Sequence, residues 1–185
     1  MNNSRYAAKK IATLAVFTAL SLITFIIENA LPPLIIPGAK MGLANIFSFA
    51  ALILYSPLEG FAVVAVRSVL GAVFAGNVSS VMYSFTGGMV SMAVSSVLLY
   101  AVHPGISVTA VSVAAAVMNN VTQNLVYVAV EGNAVMLSYM PYLALIGIVS
   151  GAIVGATVML LFKKVPLSVY EKALKNPIEQ TANSN

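Results

Sequence analysis

The chain has no cysteine, no aspartate and no tryptophan, and it has a single histidine. Without cysteine there is no disulfide, no thiolate metal site and no lipoprotein anchor. Magnesium-dependent diphosphate chemistry normally uses clustered carboxylates. Here the only acids are five scattered glutamates. No GxxxxGK[ST] segment occurs, so ATP binding through a P-loop is excluded. His103 stands beside Pro104 in a turn-like segment, which fits a surface residue better than a metal ligand. No nucleophile–base pair is visible. The expectation is a protein that is not an enzyme and uses no cofactor or metal.

Charge is also scarce. Charged residues make up 8% of the chain, against roughly a quarter in a soluble domain. Nine of the fourteen lie in the two tails, and from Ile11 to Phe162 only Glu28, Lys40, Glu59, Arg67 and Glu131 are charged. What is abundant is apolar: the chain is 60% hydrophobic, with a mean hydropathy of +0.97. A transmembrane helix needs about 20 mostly apolar residues. The middle has room for six such helices and for no second, soluble domain. The expected organisation is a basic tail at 1–10, a six-helix membrane domain at 11–162 and a basic, polar tail at 163–185. The first apolar run follows Arg5, Lys9 and Lys10 but meets Leu31-Pro32-Pro33 with no small-residue cleavage site, so it reads as a retained helix.

Proline, glycine, asparagine and charge mark the boundaries. The expected helices are about Lys10–Glu28, Met41–Tyr55 (short for a span), Leu58–Ala75, Val78–Val102, Ile106–Val130 and Pro141–Phe162. An even number of spans puts both tails on one side. Those tails hold seven of the nine basic residues, so the positive-inside rule places both in the cytoplasm. The fold class is an all-α integral membrane bundle.

Membrane helices associate through small residues that let backbones approach. The sixth helix carries Gly147, Gly151 and Gly155, and the fourth carries Ser84, Gly88, Ser91 and Ser95. Both stripes read first as packing within one bundle. The first helix carries Ala8, Ala12, Ala15 and Ala19, beginning at its cytoplasmic end, where they equally suit docking to a second membrane protein.

Two polar features stand out. Arg67 falls mid-helix, at a cost of about 2.5–3.5 kcal/mol on insertion scales, so it must be paired or hydrated. One reading is a buried pair with Glu59, Glu131 or backbone carbonyls, of which Glu59, eight residues away on the same helix and so about 12 Å off, is too far for direct contact. The other is a cationic anchor for an anionic or carbonyl-bearing ligand. On the fifth helix Asn120, Gln123, Asn124 and Tyr127 recur at i, i+3, i+4 and i+7, which is one helix face. Carboxamides offer paired donors and acceptors that read a polar ligand; they also serve as glue between helices. Asn45 and Ser48 on the second helix, and Ser80, Tyr83 and Thr86 on the fourth, add polar positions to one cavity open to the outside. Lys40 and Asn45 stand near its mouth. The Pro-rich loop from Leu31 to Lys40 suits a lid or a rigid connector.

The run Pro37-Gly38-Ala39-Lys40-Met41-Gly42-Leu43-Ala44-Asn45-Ile46 resembles that of the Gx transporter family, also labelled heptaprenyl diphosphate synthase component I. Arg67-Ser68-Val69-Leu70-Gly71, Phe74-Ala75-Gly76-Asn77, Tyr83-Ser84-Phe85-Thr86-Gly87-Gly88 and Ser112-Val113-Ala114 are similar to it as well. The resemblance covers about Ile11 to Phe162. It departs at Asn119, where many relatives carry histidine, so no role of that histidine carries over. The layout also looks like the substrate-capture S component of an energy-coupling-factor transporter. That likeness implies a transmembrane coupling protein and ATPase subunits as partners, with Ala8, Ala12, Ala15 and Ala19 as the docking face. It implies uptake of a small vitamin- or cofactor-like molecule across the bacterial cytoplasmic membrane. The family label implies the alternative, a non-catalytic membrane subunit tied to prenyl diphosphate and menaquinone synthesis.

Overall fold

A computed structural model describes residues 3–30, 41–75, 78–103 and 105–163. All regular structure among them is helical: α1 Asn3–Ala30, α2 Asn45–Leu54, α3 Pro57–Ala75, α4 Val78–Ala101, α5 Val108–Glu131, a 3-10 helix Ala134–Tyr139 and α6 Met140–Lys163. Lys40, the rest of the Pro-rich loop and the side chain of Ser80 lie outside the described residues.

Local chemistry sets the helix ends. Pro57 opens α3, at the position where a missing N–H goes unneeded and the fixed φ already suits a helix. Ser107 caps α5, its side chain accepting from the Ala110 N–H at 3.1 Å, so one orphan donor of the first turn is satisfied. Gly132 closes α5 with φ +69°, a left-handed turn that glycine makes without a Cβ clash.

Among the described residues six α-helices are present, and five are long and apolar enough to cross a membrane. The sixth, α2, has ten residues, about 15 Å at 1.5 Å per residue. The hydrocarbon core is about 30 Å thick. All six expected helices are present among the described residues, five of them long enough to span and α2 short, as its apolar run suggested. The chain is a multi-pass membrane protein.

α2 lies at the centre, with Ser48, Phe49, Ala50, Ala51, Leu52 and Ile53 all buried. α1 lies at the edge. Its Ile11, Val16, Ile23 and Ile27 are each more than half exposed, as suits side chains that meet lipid. Ala8, Ala12, Ala15 and Ala19 are exposed too. The direction of the helices follows from contacts. Lys10 pairs with Glu59 at the start of α3 and lies 5.6 Å from the centre of the Tyr55 ring. Phe162, at the end of α6, packs in one apolar cluster with Ile53, Leu99 and Val108. The start of α1 and the end of α6 thus share one end of the bundle, here the Lys10 end.

The glycines of α6 pack on α5, as the small-residue stripe predicted. A Cβ at Gly147, Gly151 or Gly155 would come within 2.8, 2.5 or 2.8 Å of the backbone of Val117, Val113 or Thr109. Gly88 on α4 makes the same kind of approach to Val64 on α3, where a Cβ would meet a methyl at 2.7 Å.

Candidate ligand cavity around Arg67

Arg67 projects from the middle of α3 into the bundle and is 3% exposed. Its Nη1 donates to Asn45 Oδ1 at 3.1 Å and to Ser21 Oγ at 3.5 Å. Ser21 in turn donates to the Ala44 carbonyl at 2.8 Å. The guanidinium carbon lies 5.9 Å from the centre of the Phe25 ring, within cation–π range. Among the described residues Arg67 Nε has no hydrogen-bond partner.

The expected ion partners are engaged elsewhere. Glu59 holds Lys10 and accepts from Ser56. Glu131 accepts from the Tyr83 hydroxyl at 2.6 Å. The acid on the wall of the same cavity as Arg67 is Glu28. A turn brings them together. Gly42 has φ +66°, a conformation that costs glycine little. The turn is closed by Asn45 N–H to Gly42 O at 2.9 Å and Ile46 N–H to Leu43 O at 3.0 Å. Glu28 Oε1 accepts from the Leu43 N–H at 2.8 Å. The turn therefore rests on α1 and presents Asn45, the first residue of α2, to Arg67.

Around this centre a cavity is lined by Phe25, Glu28, Gly42, Ala44, Asn45, Arg67, Ser84, Asn119 and Gln123. Its free space is about 20 Å³. That admits about one water molecule, while ligand pockets run to roughly 300–1,000 Å³.

Three of the sequence-predicted residues meet here: Arg67, Asn45 and Gln123. Tyr83 and Tyr127 meet each other, their ring centres 5.4 Å apart, beside Glu131. Asn120 donates to the Leu143 carbonyl at 3.1 Å and Asn124 to the Met136 carbonyl at 3.0 Å. Those two tie α5 to α6 and to the 3-10 helix. The sequence reading missed Phe25, Glu28, Ser84 and Asn119. For Asn119 a signal existed: it stands four residues before Gln123 and so shares its face.

A family model described as heptaprenyl diphosphate synthase component I matches residues 17–161. A search of curated proteins found no match. The matched stretch runs from α1 to near the end of α6 and takes in every residue that lines the Arg67 cavity. The chain belongs to the heptaprenyl diphosphate synthase component I family, the Gx transporter family.

Proposed function

We propose that the chain is the substrate-capture subunit of a transporter in the bacterial cytoplasmic membrane. It takes a small vitamin- or cofactor-like solute from outside, and separate coupling subunits supply the energy. Both tails are cytoplasmic in this reading, which follows from their basic charge. The observation that carries it is Arg67: a buried cation with an unpartnered Nε, facing a cavity lined by amides and a carboxylate. An ionisable side chain at membrane depth marks a substrate path by default. Neutral amides beside one cation and one anion suit a polar ligand that carries an acceptor group and a donor group. Because the cavity is water-sized, a solute of vitamin size requires its lining to part. The exposed alanine stripe of α1 is the docking face for a coupling protein, and the chain itself does no chemistry.

The test is thermal stabilisation of the purified protein by pools of vitamins and cofactors. Arg67→Ala and Gln123→Ala are expected to lose the shift, while Asn124→Ala keeps it. Full stabilisation of both cavity variants would sink the site. Co-purification addresses the partners: a coupling protein with ATPases supports capture, and a soluble prenyl synthase in their place supports the biosynthetic alternative.

A further inference from the structure

A hydroxyl in a membrane helix has a convenient partner in the carbonyl four residues earlier. This chain uses that route on α1 at Thr13, Thr18 and Thr24, on α4 at Ser96 and on α6 at Thr157. Five buried serines have no hydrogen-bond partner among the described residues: Ser68 on α3, whose Oγ is sealed, and four more. Ser84, Ser91 and Ser95 on α4 and Ser112 on α5 are each more than nine-tenths buried. No hydrogen bond joins their hydroxyls to any described residue. A buried polar group left without a partner costs about 1–3 kcal/mol. Unlike Ser68 Oγ, these four hydroxyls are not sealed off, so four in one region point to a surface that is solvated from within.

All four line free space. Ser84 is in the Arg67 cavity. Ser91, Ser95 and Ser112 line a second one, also about 20 Å³, with no charged side chain on its walls. Gly42 and Asn45 border both, so the Asn45 side chain stands between them. Ser84 and Ser95 are eleven residues apart on α4, as are Gln123 and Ser112 on α5. Each interval is about 16 Å, roughly half of the hydrocarbon thickness. The second cavity therefore lies below the first on the way to the Lys10 end. Beyond it the interior closes with Ile53, Leu99, Val111 and Val158.

We propose that these cavities are two stations of one polar path through the interior of the chain. The first carries charge. The second is hydroxyl-lined and takes water and small uncharged hydrogen-bonding groups, such as the hydroxyl, carbonyl or amide end of a solute. Asn45 divides the stations, and the Ile53, Leu99, Val111 and Val158 layer is the inner gate. This rests on the membrane-spanning arrangement and not on capture of any particular solute.

The absence of cysteine makes the test direct. Single variants Ser84→Cys, Ser91→Cys, Ser95→Cys and Ser112→Cys, with Ser96→Cys as the control whose native hydroxyl is satisfied by Met92, are reconstituted in lipid vesicles. Silver ion is the probe, and block of later maleimide labelling is read by intact mass. Serine-to-cysteine is nearly isosteric, and unfolding temperature reports any variant that fails to fold. Reaction depends on access to the thiol, so all four are expected to react at least about tenfold faster than Ser96→Cys. A fast Ser84→Cys with Ser95→Cys and Ser112→Cys as slow as the control would mean a blind outer pocket and overturn the path. So would five equally slow variants, which would mean a dry interior. Asn45→Leu is expected to slow silver reaction at Ser95→Cys about tenfold from the outer side and leave Ser84→Cys unchanged. No slowing would remove Asn45 as the divider. Labelling without any ligand stabilisation overturns capture alone; stabilisation without labelling overturns the path alone.

Discussion

The carboxamides of α5 form two pairs, offset by one residue, with opposite employment. Asn119 and Gln123 line the Arg67 cavity. Asn120 and Asn124 donate to backbone carbonyls of Leu143 and Met136. One residue on a helix is a rotation of about 100°, enough to turn a reader of ligands into a fastener. The comparison teaches that residue type at membrane depth does not assign a role; the neighbouring element does. Where α6 comes close on its glycines, an amide finds a carbonyl. On the adjoining face, Gly87 of α4 comes close to Asn119 and Gln123 but offers their side chains no hydrogen bond, and the Arg67 cavity lies beside them.

That contrast can be broken in a graded series. The largest effect is expected on the fastening side. Gly151→Leu drives a Cβ to 2.5 Å from Val113 Cα and should destabilise by about 3 kcal/mol, the upper range of overpacking; thermal unfolding in detergent measures it. Next is Asn120→Leu, which removes the bond to Leu143 from a site only 6% exposed. A loss of about 1.7 kcal/mol is expected, the top of the range for interhelical bonds in membranes. Asn124→Leu removes a bond to the short 3-10 helix, and about 0.6 kcal/mol is the expected loss. Smallest is Gln123→Ala, whose side chain has no bond to a described residue. Its unfolding free energy should move by less than about 0.5 kcal/mol, yet the ligand-dependent shift should vanish. If Gln123→Ala destabilised as much as Asn120→Leu, the division of the two faces would be wrong.

The helices were legible because proline, glycine and charge punctuate apolar runs. α3 begins within one residue of the sequence reading, and α4 ends within one. α1 begins earlier than expected, at Asn3, because backbone hydrogen bonds continue through the basic tail whether or not the side chains are apolar. α2 was legible as short for a span and is shorter still, Asn45–Leu54; the 3-10 helix was not legible, because a short apolar run has no period that fixes its helix type. Arg67 was legible as an anomaly, and Asn45 and Gln123 as polar groups in apolar company. Glu28 was not. It looked like a boundary residue beside the Pro-rich loop, and its meeting with Leu43 is a tertiary event across fifteen positions. The α5 faces were half legible. Pairs at 119/123 and 120/124 each satisfy i, i+4, so periodicity finds both and ranks neither.

The Gly42–Asn45 turn has a mechanical consequence. Two hydrogen bonds moor it to α1, from Ser21 to the Ala44 carbonyl and from the Leu43 N–H to Glu28. At about 1 kcal/mol net for the Ser21 bond and about 2 kcal/mol for the bond to the Glu28 carboxylate, releasing both costs about 3 kcal/mol. An equilibrium of that size leaves about 0.6% of molecules unmoored at rest, within the range usual for a working minor state. Separating α5 from α6 would instead undo a whole row of glycine contacts. The cheapest way to enlarge the space beside Arg67 is therefore to unfasten a four-residue turn while the five long helices stay where they are.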